Sequence, residues 1–177
     1  ISACLVGSEM CIRDRSKMDV SAIVRDIKTG RATLVCFPVE MSELKLALGL
    51  REEDDLEYII ADSDCQLLKE HDSIEMINQF VELVENVDSE LVKAVHQVIG
   101  YTASDFVDYD FNFGDCCLLS DVTTRRELGE YYFDELGVQG VGKEALEMYF
   151  DHEAYGRDID LESQGGFSDY GYVEISG

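Results

Sequence analysis

Acidic side chains run through this chain from end to end, and that distribution limits what it can fold into. Of 177 residues, 38 are Asp or Glu and 14 are Lys or Arg, a formal charge of −24 at pH 7. Charge of that size repels itself and opposes compactness at low salt. An acidic tail would gather the excess into one block and leave the rest balanced. Instead, residues 18–104 carry 18 acidic and 7 basic side chains, and residues 105–177 carry 18 and 4. With 46% hydrophobic residues the chain still has enough apolar surface to fold, as one ordinary core or as two or three small ones. The acid then reads in two ways: a soluble or halophile-like exterior, or a surface built to look polyanionic.

Charge of this sign excludes nucleic acid as a direct partner, because binding to phosphates depends on Lys and Arg releasing counterions. The inverse relation is open. Duplex DNA carries one negative charge per about 1.7 Å of axis, so roughly 25 net charges match about 40 Å of duplex, and two chains match twice that. No run approaches the ~20 apolar residues of a membrane span. Cys36, Cys65, Cys116 and Cys117 form no CxxC pair and no metal-finger spacing, which predicts buried thiols in a reducing, cytoplasmic compartment. His71, His96 and His152 lie far apart, with no spacing that suggests metal ligation or a nucleophile's base. Paired carboxylates can run acid and base chemistry, but a pair signifies little where one residue in five is acidic. The expectation is no catalytic residue, no metal and no cofactor, with a carboxylate-dependent hydrolase as the alternative from another class.

Local signals divide the chain. "ISACLVGSEMCIRDR" forms no signal peptide and resembles translated sequencing-adaptor read-through, so residues 1–17 are expected to be a non-native or disordered extension. Those residues carry 3 basic and 2 acidic side chains, leaving −25 on the remainder. From Asp19, two β-branched runs flank a turn at Lys28, Thr29, Gly30 and Arg31, closed by Pro38. Met41, Leu44 and Leu48 have helical spacing with Gly49 as the stop, and "LEYIIAD" reads as a third strand. Asp72 with Glu75 resembles a capping box for a helix with Ile74, Ile77, Val81 and Val84 on one face. Asp88 or Ser89 starts another, with Leu91, Val95, Val98 and Ile99 on one face up to Gly100. Thr102 with Asp105 and Thr124 with Glu127 start two more. Arg125 and Arg126 sit in a first helical turn that disfavours cations, so pairing with nearby acids is expected. "CCLL" and "GYVEI" read as strands, "GVQGVGKE" (137–144) as a turn, and a helix from about Lys143 carries Leu146, Tyr149 and Phe150 on one side. The fold class is α+β, an elongated chain of three small domains: mixed α/β at 18–70, a helical cluster at 71–112, and mixed α/β at 113–177.

"DYDFNFGD" (108–115) begins like a calcium loop, but the sixth and twelfth positions of that motif hold Phe113 and Leu119 instead of Gly and Glu. The alternative is an extended segment with aspartates outward and Phe111 and Phe113 inward. Phe80, Phe106 and Tyr149 read as core or subunit contacts.

"SIEMINQFVELVE" (73–85), "GEYYFDELG" (129–137) and "MYFDHEAYGRDID" (148–160) resemble segments of the ArdA antirestriction protein family, loosely from about residue 40 onward. The resemblance implies a curved, three-domain protein, dimeric through its C-terminal region, that imitates bent B-form DNA. It implies a protein partner, the type I restriction-modification enzyme, whose DNA-binding groove is occupied so that mobile DNA escapes cleavage. It implies no enzyme activity. Where the family usually has Asn-Leu-Gly-Lys-Tyr-Asn-Glu-Gly, this chain has "VRDIKTGRATL", which bears on target range.

The candidate phosphate-mimicking residues are Glu82, Glu85, Asp88, Asp105, Asp108, Asp110, Asp115 and Asp121, and the candidate dimer contacts are Tyr131, Tyr132 and Leu136. An acidic inhibitor of some other basic DNA-binding protein or defence factor would share every charge argument and differ in target.

Overall fold

The computed structural model describes residues 17–135 and 143–177. They form a mixed α/β structure with seven α-helices and two three-stranded antiparallel sheets. Contacts divide the chain into two compact units, one running to Val92 and including Gly100–Phe111, the other comprising Lys93–Ile99 and Asn112–Gly177.

In the first unit, β1 (Ser21–Asp26) is the central strand between β2 (Ala32–Cys36) and β3 (Tyr58–Ser63). The β1–β2 turn is held by Asp26, whose carboxylate accepts from the Thr29 hydroxyl at 2.5 Å and from the Thr29 and Lys28 amides at 3.1 and 3.2 Å. Gly30 takes φ +72° there, the backbone freedom the turn needs. Helix α1 (Met41–Ala47) buries Leu44, and Leu48 follows it into the core, before Gly49 stops it at φ +72°. Met41 is exposed.

Helix α2 (Ile74–Val84) starts at Ser73, whose hydroxyl accepts from the Met76 amide at 3.1 Å. The expected cap at Asp72 is corrected by one residue: its carboxylate is buried and turns back to accept the Lys69 amide at 2.7 Å. The buried face is Ile74, Ile77, Phe80 and Val84, while Val81 is half-buried. Asn78 pins the loop after Pro38 by exchanging two bonds with the Val39 backbone, at 2.9 and 2.8 Å.

Helix α3 (Ser89–Ile99) opens on Asp88, whose side chain accepts from the Glu90 amide at 2.9 Å. Val95 is buried as expected, but Ser89, Val92 and Ala94 are buried with it while Leu91, Val98 and Ile99 are half-buried, so the packed face is rotated from the expected one. The small Ala94 lies in the packed face and carries little weight in a pattern of large apolar residues. Helix α4 (Ala103–Asp108) has the expected cap, with the Thr102 amide and hydroxyl donating to the Asp105 carboxylate at 2.9 and 2.8 Å. Thr102→Ala is expected to cost about 1 kcal/mol, read from denaturant midpoints. Phe106 is fully buried and meets Phe80, Tyr101 and Phe111 at ring-centroid distances of 6.3, 5.6 and 5.1 Å.

Residues 108–115 are not an extended segment. Asp108 ends α4, Asp110 takes φ +48°, and Phe113–Asp115 is a single 3₁₀ turn capped by Asn112. The Phe111 amide still bonds the Phe106 carbonyl at 3.0 Å, so the α4 exit curls instead of straightening. The aspartates do face outward and Phe113 is buried.

In the second unit, β6 (Gly171–Ile175) is flanked by β4 (Cys116–Leu119) and β5 (Gly166–Ser168). Val122, Leu128 and Tyr172 form its buried cluster. Glu174 lies half-buried on β6, and burial pushes its carboxyl above the ordinary value of 4.5. A raised folded-state value favours the neutral form, so its contribution is present below pH 4.5 and is lost as pH rises. Glu174→Gln is therefore expected to raise Tm at pH 7, with the gain vanishing below pH 4.5, as thermal melts across pH would record.

Cysteine usage departs from the expectation. Cys65 is buried and Cys116 half-buried, its thiol raised to about 11 by burial and then by Asp115. Cys36 lies on the exposed side of β2. Cys117 is disulfide-bonded, because pairing is decided in space and not by spacing along the chain.

Helices α5 (Arg125–Glu135), α6 (Lys143–Tyr149) and α7 (His152–Glu162) complete this unit. The expected box at Thr124 forms: Glu127 accepts from the Thr123 and Thr124 amides at 2.8 and 3.0 Å. Arg125 pairs with Asp160 of α7 at 3.5 Å and Arg126 with Glu130 at 2.9 Å, which accounts for the two cations. Helices α5 and α7 cross backbone to backbone at two glycines. A Cβ on Gly129 would stand 2.7 Å from the His152 carbonyl carbon, and one on Gly156 would stand 2.8 Å from that of Arg125. The "GVQGVGKE" turn, the helix stop at Gly137 and Leu136 lie outside the described residues, apart from the start of α6.

Candidate functional site

Six of the eight candidate carboxylates belong to the first unit and two, Asp115 and Asp121, to the second. Glu82, Glu85, Asp108, Asp110, Asp115 and Asp121 are exposed. Asp88 and Asp105 are half-buried and hold helix starts, so part of their charge is used inside the fold. Hydrogen bonds from the Thr102 amide and then its hydroxyl hold the Asp105 carboxyl below its ordinary range.

The structure brings two of the eight to one place. Glu82 and Leu83 on α2 meet Val107 on α4 and Asp110 just beyond it, and with Gln79 they line a shallow cavity of about 240 Å³. Leu83 and Val107 form a half-buried apolar floor, and the polar groups of Gln79, Glu82 and Asp110 are exposed at the rim. Among the described residues, no side-chain hydrogen bond or ion pair engages Glu82 or Asp110. Gln79, Leu83 and Val107 are not among the expected site residues, because they carry no charge and the acidic pattern does not single them out. The i, i+4 relation of Gln79 to Leu83 was the available signal. Tyr109, beside Asp110, is 67% exposed and meets Tyr101 with the rings tilted and their centroids 5.3 Å apart.

The second unit has a wider cleft of about 720 Å³ between α5, α6 and the start of α7, where Glu130, Asp134, Glu147, Asp151 and Glu153 surround Arg126. His152 also lines it, with Nδ1 buried and unpartnered among the described residues. Tyr131 and Tyr132 are half-buried against the Val122, Leu128 and Tyr172 cluster. Among the described residues, no group of three or more His, Cys, Asp or Glu side chains could hold a metal ion, and no helix is long and apolar enough to cross a membrane.

The family model described as "Antirestriction protein (ArdA)" matches residues 18–174. This chain belongs to the ArdA antirestriction protein family. The match takes in the first strands as well as the C-terminal motifs, so the departure at "VRDIKTGRATL" does not take the N-terminal part outside the family. No curated protein matches the chain. The quoted ArdA-like segments "GEYYFDELG" and "MYFDHEAYGRDID" contain Gly129 and Gly156, the two residues at the α5–α7 crossing, so this part of the likeness reports helix packing.

Proposed function

We propose that this ArdA-family chain blocks restriction as a DNA mimic. Exposed carboxylates take the places of backbone phosphates and engage the Lys and Arg side chains lining the DNA-binding groove of a type I restriction-modification enzyme. The carrying observation is where the charge lies: of the described Asp and Glu residues, only Asp26 and Asp72 are buried. Inhibition of this kind needs occupancy and no chemical step, so the protein acts without catalysis.

Three small domains at 18–70, 71–112 and 113–177, and pairing of two copies through the C-terminal region, belong to the same proposal. Leu146, Met148 and Tyr149 are 48%, 81% and 88% exposed on α6, and an apolar surface of that extent supports association with a second copy. Tyr131, Tyr132 and Leu136 remain the proposed dimer contacts, in a protein acting in the bacterial cytoplasm.

The test is plating of unmodified phage on cells carrying a type I system, with and without the protein. Expression is expected to raise plating efficiency toward that of a restriction-deficient host. Unchanged plating would move the reading to another basic DNA-binding protein or defence factor.

A further inference from the structure

We propose that the cavity between α2 and α4 is a receptor for one arginine side chain of the protein partner. The inference rests on the DNA-mimic reading and adds to it a defined point of engagement within the acidic surface. A scattered carboxylate face attracts any cation; a cavity with an apolar floor and acceptors at its rim discriminates. Leu83 and Val107 offer methylene-sized contact for an arginine stem, leaving the charged end among the Glu82 and Asp110 carboxylates and the Gln79 amide oxygen. A planar guanidinium with five donors can serve several acceptors at once, whereas an ammonium is a compact and more strongly hydrated point charge. Among the described residues, no Lys or Arg lines the cavity and neither carboxylate is engaged by another side chain.

Asp110 also permits a clean substitution. Its φ of +48° lies in the left-handed region, which Asp and Asn tolerate better than other side chains. Asp110→Asn therefore removes the charge and keeps the turn. Glu82→Gln does the same on an exposed helix position.

The experiment is amide NMR titration of the full chain with acetyl-Gly-Arg-Gly-amide and with its lysine counterpart. The arginine peptide is expected to shift signals concentrated at Gln79, Glu82, Leu83, Val107 and Asp110, and to bind about threefold or more tighter than the lysine peptide. Glu82→Gln combined with Asp110→Asn is expected to weaken it about fivefold or more. Glu75→Gln combined with Glu90→Gln removes the same charge from exposed sites of the same unit and is expected to change binding by less than about twofold, because distant charges are screened. Equal weakening by both pairs, equal binding of the two peptides, or shifts spread evenly over the acidic surface would each overturn the proposal. The titration contains no restriction enzyme. Failure of the phage assay would therefore count against DNA mimicry without touching this result, and failure of the titration would remove the arginine site while leaving protection from restriction intact.

Discussion

Gly156→Ala is expected to destabilise the second unit by about 3 kcal/mol or more, at the upper end of what overpacking costs. The added methyl would stand 2.8 Å from the Arg125 carbonyl carbon, and a backbone atom of a neighbouring helix cannot swing aside as a side chain can. Relief requires α5 and α7 to move apart, which loosens the Arg125–Asp160 pair and the contacts of Leu128 and Ile159 at the same cluster. Gly129→Ala is expected to act alike from the other helix, through the His152 carbonyl. At about 2–4 °C per kcal/mol for a chain of this size, Tm falls by roughly 10 °C in a calorimetric scan. Gly114→Ala is the control. Its nearest neighbour is the Asn112 side chain at 3.0 Å, which can shift, and the cost is expected below about 1 kcal/mol. A melt of Gly156→Ala coincident with that of the unaltered protein would mean that the helices do not cross at these glycines.

On the DNA-mimic proposal, association with a type I restriction-modification enzyme is expected to slow by about 10–10³-fold between low and high salt. The physical cause is long-range attraction between a chain of formal charge −24 and a groove lined with cations, which mobile ions screen within about 10 Å at 0.1 M. Dissociation should respond far less, because short-range contacts govern it. Stopped-flow measurement of both rates separates the two. A salt-independent association rate would remove DNA mimicry as the mechanism, whatever the inhibition observed in cells.

Much of the first unit was legible in the sequence because its signals are local. The turn at Lys28–Arg31 and the Thr102–Asp105 box each consist of residues within a few positions of one another, and each forms the bonds its residue types suggest. Helix α7 was less legible, its local signal being the single cap at Asp151, whose side chain accepts from the Ala154 amide at 3.0 Å. Its fully buried residue is Gly156, so the face that packs tightest contributes nothing to hydrophobic periodicity. Helix α5 was legible from its Thr124–Glu127 start, although Gly129, on its buried face with Leu128 and Phe133, adds nothing to the periodicity. Strand β5 is three residues long and begins with glycine, too short for an alternation to show. The candidate site was half legible: exposure of Glu82 and Asp110 followed from their charge, but their convergence on Leu83 and Val107 depends on how α2 meets α4, which no single stretch encodes. The curl at 108–115 was missed for a related reason. Alternating polar and aromatic residues imitate a strand, while Asp110 in a left-handed conformation breaks the extended backbone at that point.

That left-handed residue has a consequence for how binding strength could be tuned. Three residue types, Asp, Asn and Gly, suit such backbone, and they present a full charge, a neutral amide or bare peptide to the same spot. The rim beside Val107 can thus be graded in three steps with the architecture held constant. Exchange at one codon would act as a dial on partner preference, where most surface changes alter attraction and folding together.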